Sequence, residues 1–186
     1  QHDRTSRRLL VASLKKEKMQ KIADIRIDER LIHGQVSVMW LNTLKANRIM
    51  VVDDDVIKDE FHKKMLKLAC PSSAKLSVLS VATAVTNLNN ETYDGDTILI
   101  IVKEPKTVLE MIESGLKVTE VNIGFMGVRE NTLPLSKQAY FSIDQLFELQ
   151  KMMDYGVSFT ARPTPDDRGF DVKAAVQKLI DTFQSK

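Results

Sequence analysis

Two near-continuous apolar runs, Ile49-Met50-Val51-Val52 and Ile98-Leu99-Ile100-Ile101-Val102, constrain this chain more than any other feature. Each has the length of a strand and offers water no polar face, so both of its faces need covering. That is the condition of a strand inside a parallel sheet with helices on either side. Val- and Ile-rich runs give strands over 22–27, 48–53, 75–79, 97–102 and 120–125. Between them the spacing is helical. Val36, Met39, Trp40 and Leu44 share one helix face, as do Phe61, Met65, Leu68 and Ala69, and Val108, Leu109, Ile112 and Leu116. Glu60 and Lys64 form an i,i+4 charge pair on the second helix. Pro105 suits a first helical turn and Gly115 a helix stop.

The last third changes character. Residues 126–136 read as a loop, 138–142 and 157–161 as shorter strands, 143–155 as a helix between them, and Asp171 as the cap of a final helix. The expected fold is α/β: an open, mainly parallel sheet with helices on both faces and a more irregular strand-helix-strand C-terminal part.

The 186 residues suffice for one compact domain, expected over 19–186, and 43% hydrophobic with 28% charged content is that of a soluble globular protein. The longest apolar run, 98–102, is far too short to span a bilayer. A lone Cys70 excludes an internal disulfide and fits a reducing cytosol. The net charge of +2 hides an uneven distribution. Residues 1–21 hold seven of the 27 Lys/Arg and two of the 25 Asp/Glu, leaving 20 basic against 23 acidic residues beyond them. The basicity belongs to the tail, which reads as a solvated leader or added segment over 1–18, not a nucleic-acid arm, and it lacks the apolar stretch of a secretory signal.

Sites in such sheets lie beyond the carboxyl ends of the strands, where loops 28–35, 53–58, 80–83 and 103–106 are expected to meet. The first holds Asp28-Glu29-Arg30-Leu31-Ile32-His33-Gly34-Gln35. His33 supplies a nucleophilic nitrogen. A helix starting at Gly34 or Gln35 aims unsatisfied N–H groups at an anion held there, and Arg30 offers a planar grip on phosphate oxygens. The residues alone equally allow a solvated His33, an Arg30 paired with Asp28 or Glu29, and a Gly34 that only permits a turn. His62 reads as structural or solvent-facing, and His2 takes no role. Asp53-Asp54-Asp55 reads as a solvated cluster or helix cap before a Mg²⁺ site, and Cys70 as a half-buried thiol. With seven scattered glycines there is no phosphate-binding loop for a nucleotide and no nucleophile elbow, which disfavours a self-contained kinase or dehydrogenase.

The segment Ile25-Arg26-Ile27-Asp28-Glu29-Arg30-Leu31-Ile32-His33-Gly34-Gln35-Val36 resembles the active-site segment of IIB components of the mannose/fructose/sorbose family of the bacterial phosphotransferase system. The likeness continues through Arg48–Asp54, Ala69-Cys70-Pro71, Lys75–Ser80, Val121–Gly124 and Met126–Arg129, covering about residues 22 to 170. The resemblance implies a phosphotransferase subunit that needs no nucleotide, cofactor or metal. It accepts a phosphoryl group on His33 from a phosphohistidine of a IIA protein and passes it to a sugar bound by the membrane IIC/IID components. It implies phosphoryl binding by Arg30, Gly34, Gln35 and Ser72, with the Ser72 hydroxyl either bonding phosphate or capping a turn. Asp28 either orients the loop or is purely structural. A cytoplasmic protein meeting the permease at the membrane follows, with no nucleic-acid partner and room for a homo-oligomer. Phe125, Asn131–Pro134 and the Pro71-Ser72-Ser73 loop depart from the family pattern and bear on partner and sugar. The alternative is a non-catalytic regulatory or anion-binding protein of the same fold.

Overall fold

The computed structural model of the protein describes residues 19–185, and before them only Thr5 and Arg8, so the readings of the tail lie outside the described residues. In chain order the elements are β1 (Lys21–Ile27), α1 (Gly34–Leu44), β2 (Arg48–Val52), a 3₁₀ turn (Val56–Lys58), α2 (Glu60–Ala69), β3 (Lys75–Leu79), α3 (Val81–Asn89), β4 (Thr97–Val102), α4 (Pro105–Glu113), β5 (Glu120–Ile123), β6 (Thr132–Ser136), β7 (Ala139–Ser142), α5 (Ile143–Asp154), β8 (Ser158–Ala161) and α6 (Val172–Gln184). Six strands form one parallel sheet in the order β3-β2-β4-β1-β5-β8, and β6 and β7 form a separate antiparallel hairpin.

The two apolar runs lie at the centre of this sheet, and the two-residue strand period divides each between two cores. Met50, Val52, Ile98, Ile100 and Val102 point into the core built with α3, α4, α5 and α6. Ile49, Val51, Leu99 and Ile101 point into a second core under α1 and α2, with Trp40, Leu41 and Leu66. Each such buried side chain contributes roughly 1.5–3 kcal/mol against exposure. Neighbouring β1 and β4 send their helices to opposite faces, α1 into one core and α4 into the other. Parallel sheets open a crevice at such a switch point.

Local chemistry sets most boundaries. The Asp59 carboxylate accepts from His62 N–H at 2.9 Å, and the Ser80 hydroxyl accepts from Thr83 N–H. Pro105 opens α4, Ser142 and Gln145 form a capping box on α5, and Asp171 caps α6 through Ala174 N–H. The aspartate run after β2 works the same way. One Asp53 oxygen accepts from Asp55 and Val56 N–H, and Asp54 accepts from Val81 N–H at the start of α3.

Three expectations are corrected. The 126–136 loop contains strand β6, which Pro134 disguises in the sequence because a proline suits only a strand edge without its ladder donor. Phe61, Met65 and Leu68 do share a face of α2, but it is turned to solvent at 73%, 48% and 79% exposure, while Leu66 is the residue buried. Glu60 pairs with Lys63 at 2.5 Å, an i,i+3 contact, in place of Lys64.

Candidate functional site

Position i,i+2 on a strand repeats the same face, and β1 uses this to line up charge: Asp24, Arg26 and, just past its end, Asp28. Arg26 and Asp28 are both buried, at 2% and 1% exposure. Such charges are tolerable only when fully partnered. Arg26 Nη2 meets Asp28 Oδ2 at 3.1 Å, while Nη1 and Nη2 donate to the carbonyls of Arg162 and Pro163, each at 2.9 Å. The Arg26 guanidinium also lies 5.3 Å from the Trp40 ring centre. Burial lowers the pKa of Arg26, and the neighbouring Asp28 opposes that shift. Gly124 leaves the space this pair needs, since a Cβ there would come within 2.6 Å of Arg26 Cζ and 2.7 Å of Asp28 Oδ2.

The other side of the Asp28 carboxylate holds Arg30. Oδ1 accepts from Arg30 Nε at 3.0 Å and from its backbone N–H at 3.1 Å, and Oδ2 accepts from Nη2 at 3.0 Å. Arg30 therefore spends its planar two-pronged edge on Asp28, not on an incoming anion as the sequence suggested. Its Nη1 hydrogens and the second Nη2 hydrogen remain. The guanidinium lies 4.5 Å from the Phe125 ring centre, half-exposed and fixed in place.

Beyond Arg30 the chain dives and resurfaces. Leu31 and Ile32 are buried in the α1/α2 core, and Leu31 holds a left-handed φ of +58°. A branched apolar residue adopts that conformation at a cost of about 1–3 kcal/mol. His33 then emerges exposed as the N-cap of α1, followed by Gly34 at φ +42°. Its backbone N–H donates to Ser37 Oγ at 3.0 Å, and Ser37 N–H returns a bond to the His33 carbonyl at 3.3 Å. Ser37, invisible as a site residue in the sequence, thus locks the His33 backbone while the imidazole stays outside. The His33 side chain does not cap α1, and the first turn carries no acidic residue. Gly34 and Gln35 are exposed like His33, and the first N–H groups of a helix have no intrahelical acceptor.

The structure places Asp28, Arg30 and His33 in the loop between β1 and α1, with Gly34 and Gln35 opening α1. It does not bring Ser72 there. Ser72 sits with Cys70 and Pro71 in the turn that precedes β3, at the amino end of a parallel sheet whose carboxyl end carries His33, three strand positions from β1. Its surroundings are Lys67, Cys70 and Ala74. The sheet order also changes which loops adjoin. The loop after β5 lies directly against the His33 loop, with Glu29 N–H donating to the Phe125 carbonyl at 3.0 Å and Gly124 N–H to that of Ile27 at 2.8 Å. Loops 53–58 and 80–83 belong to β2 and β3, further along the edge. Among the described residues no group of three or more His, Cys, Asp or Glu is placed to hold a metal ion.

The class defined here is a doubly covered parallel α/β domain with an exposed histidine and an open helix start at a switch point of its sheet. The family model described as "PTS system sorbose subfamily IIB component" matches residues 22–185, and the chain belongs to that family. It is 31% identical over 147 residues to the sorbose-specific EIIB component of Klebsiella pneumoniae, covering 79% of this chain and 90% of that protein. It is 30% identical to the fructose-specific EIIB component of Bacillus subtilis, over 82% of this chain and 94% of that one. The crystal structure of the IIBSor domain of the Klebsiella pneumoniae sorbose permease superposes with a TM-score of 0.80 at 30% identity, covering 85% of this chain and 97% of that one. The chain is thus a IIB component of the sugar phosphotransferase system, and its enzyme class is phosphotransferase.

Proposed function

We propose that this IIB component carries its phosphoryl group on His33 as a single domain over residues 19–186. A neutral imidazole nitrogen attacks phosphorus on a IIA phosphohistidine. The new N–P bond forms as the donor's N–P bond breaks, and the donor ring keeps the electron pair. In the second step a sugar hydroxyl oxygen attacks phosphorus as the His33 N–P bond breaks; the electron pair stays on the ring, which takes up the hydroxyl proton and returns to neutral imidazole. The sugar is presented by membrane IIC/IID components, which places the chain at the cytoplasmic face of the membrane.

The observation that carries this reading is the exposed His33 imidazole at an uncapped helix start, beside an Arg30 immobilised on Asp28. Charge stabilisation by fixed donors supplies much of the catalysis in phosphoryl transfer. Gly34 and Gln35 offer backbone N–H groups, Arg30 its remaining guanidinium hydrogens, and the Arg26–Asp28 pair holds Arg30 so that no reorganisation is needed during transfer. No helix among the described residues is long and apolar enough to cross a membrane.

The test supplies phosphoenolpyruvate, the general phosphotransferase proteins and a panel of IIA proteins, and follows acid-labile phosphate on wild type and His33→Ala by mass spectrometry. Wild type should be labelled and His33→Ala should not, with its melting temperature within about 2 °C because the side chain is exposed. Label persisting on His33→Ala would move the site elsewhere.

A further inference from the structure

Val128 is 71% exposed at the outer end of the loop that follows β5, and its neighbours hold that loop still. Below it, Met126 is buried and exchanges backbone bonds with the β6–β7 hairpin, donating to the Gln138 carbonyl at 3.0 Å and accepting from Tyr140 N–H at 2.9 Å. The hairpin is itself anchored through buried Leu135, Ala139 and Phe141. Sideways, Arg129 forms an ion pair with Glu29 of the His33 loop, and a Cβ on Gly127 would come within 2.8 Å of Glu29 Oε1. Above, Arg129 N–H donates to Thr132 Oγ1 at 3.1 Å. An apolar side chain is thus displayed on a braced loop bonded directly to the loop that carries His33.

We infer that the 124–131 loop is the docking surface for the protein that delivers the phosphoryl group, with Val128 as its apolar anchor. This rests on His33 being the acceptor. His33 is exposed, so the phosphoryl group arrives on a surface of this chain. In-line transfer between two nitrogens needs each within roughly 3–3.5 Å of phosphorus. The donor's surface then closes over whatever adjoins His33, which includes this loop. A braced loop loses little freedom on docking, which favours association. The donor it fits carries an apolar recess beside its phosphohistidine and a carboxylate for the Arg129 donors that Glu29 leaves unused. The hairpin, which lies outside the main sheet, acquires a purpose as the buttress of this loop.

The experiment compares two donors on wild type, Val128→Glu, Val128→Ala and Phe61→Glu. One donor is phosphoramidate, which needs no docking, and the other is a panel of phosphorylated IIA proteins. Labelling by phosphoramidate should be equal in all four. Transfer from IIA should fall at least tenfold in Val128→Glu, by a raised KM, fall two- to fivefold in Val128→Ala, and be unchanged in Phe61→Glu, which alters the exposed face of α2. Melting curves of Val128→Glu check the fold, and Val128→Ala keeps the test open should that variant be unstable. IIA transfer to both Val128 variants within twofold of wild type overturns the inference, as does a loss confined to Phe61→Glu, or phosphoramidate labelling of His33 with none from any IIA protein. If neither donor labels wild-type His33, the acceptor assignment itself has failed and the docking surface falls with it.

Discussion

At the scale of single residues, the site depends on a line of alternating charge: Asp24, Arg26, Asp28 and Arg30. Asp28 is its hinge, since one carboxylate accepts from two guanidinium groups and a backbone N–H. Arg26 never touches the reacting atoms; it is a positioning residue that sets Asp28, which sets Arg30. Gly124 is the space-maker for this line, and Gly124→Ala is expected to push the Arg26–Asp28 pair apart. Overpacking against a buried pair that stays charged costs about 2–3 kcal/mol, a fall in melting temperature of roughly 5–10 °C for a chain of this length. Phosphoryl acceptance should slow as well. A variant melting within 2 °C of wild type would show that the pair has slack the structure does not display. The proposed site residues His33, Arg30, Gly34 and Gln35 read together in the sequence because they fall within six consecutive positions. Arg26 was not legible: inside a strand it reads as one of two polar residues in an otherwise apolar run, and two of its partners, the carbonyls of Arg162 and Pro163, lie 136 and 137 residues away.

At the scale of elements, legibility followed burial. The runs at 49–52 and 98–102 announced central strands because both faces are covered, and Asp171 announced the start of α6 because its capping chemistry is local. The α2 face Phe61-Met65-Leu68 misled because helical periodicity reports amphipathicity, not which side meets the core. Leu66 turns the helix the other way. Ser72 misled for a topological reason: proximity to the site depends on which sheet edge a loop occupies, and neither the residue nor its neighbours encode that. Of the hairpin, β7 was expected and β6 escaped because Pro134 interrupts its pattern. Its partner helix α5 offers a direct check on local encoding. The Ser142–Gln145 capping box satisfies two N–H groups, Gln145 N–H at 3.2 Å and Ser142 N–H at 3.0 Å. Ser142→Ala should cost about 1 kcal/mol and lower the melting temperature by about 2–4 °C, leaving phosphoryl acceptance unchanged. An undiminished melting temperature would mean that tertiary packing of Leu146, Leu149 and Met152 fixes this helix start without its cap.

At the scale of the whole molecule, the two faces of the sheet are covered unequally. Four helices pack on one side, but only α1 and α2 on the other, over the β3-to-β1 end. The β5–β8 end of that second face is left as a cavity of about 370 Å³ lined by Asp24, Trp40, Glu120, Asn122, Thr160 and Arg162 among others. Asp24, at the far end of the charge line from the site, opens into it. Burial pushes the Asp24 carboxyl up to about 7 and Glu120 adds to this, against the lowering effects of Arg26, the Ile25 backbone and Asn122. The linkage then has a definite sign. Unfolded, an aspartate loses its proton near pH 3.9. Between about pH 4 and 7 the folded state therefore holds more protons than the unfolded state, so stability falls as pH rises through that window and levels off above it. Arg26 remains charged throughout and keeps its pair with Asp28, so the site geometry persists on both sides of the transition. Asp24→Asn replaces the ionising group with a neutral amide of the same shape. It should raise the melting temperature by several degrees at pH 8, where the wild-type carboxylate is charged in the cavity wall, and by much less at pH 5, where it is protonated. Melting curves of both proteins at the two pH values decide the matter. An equal gain at both, or a loss at pH 8, would show that the Asp24 carboxylate is held by Arg26 more strongly than it is penalised by burial.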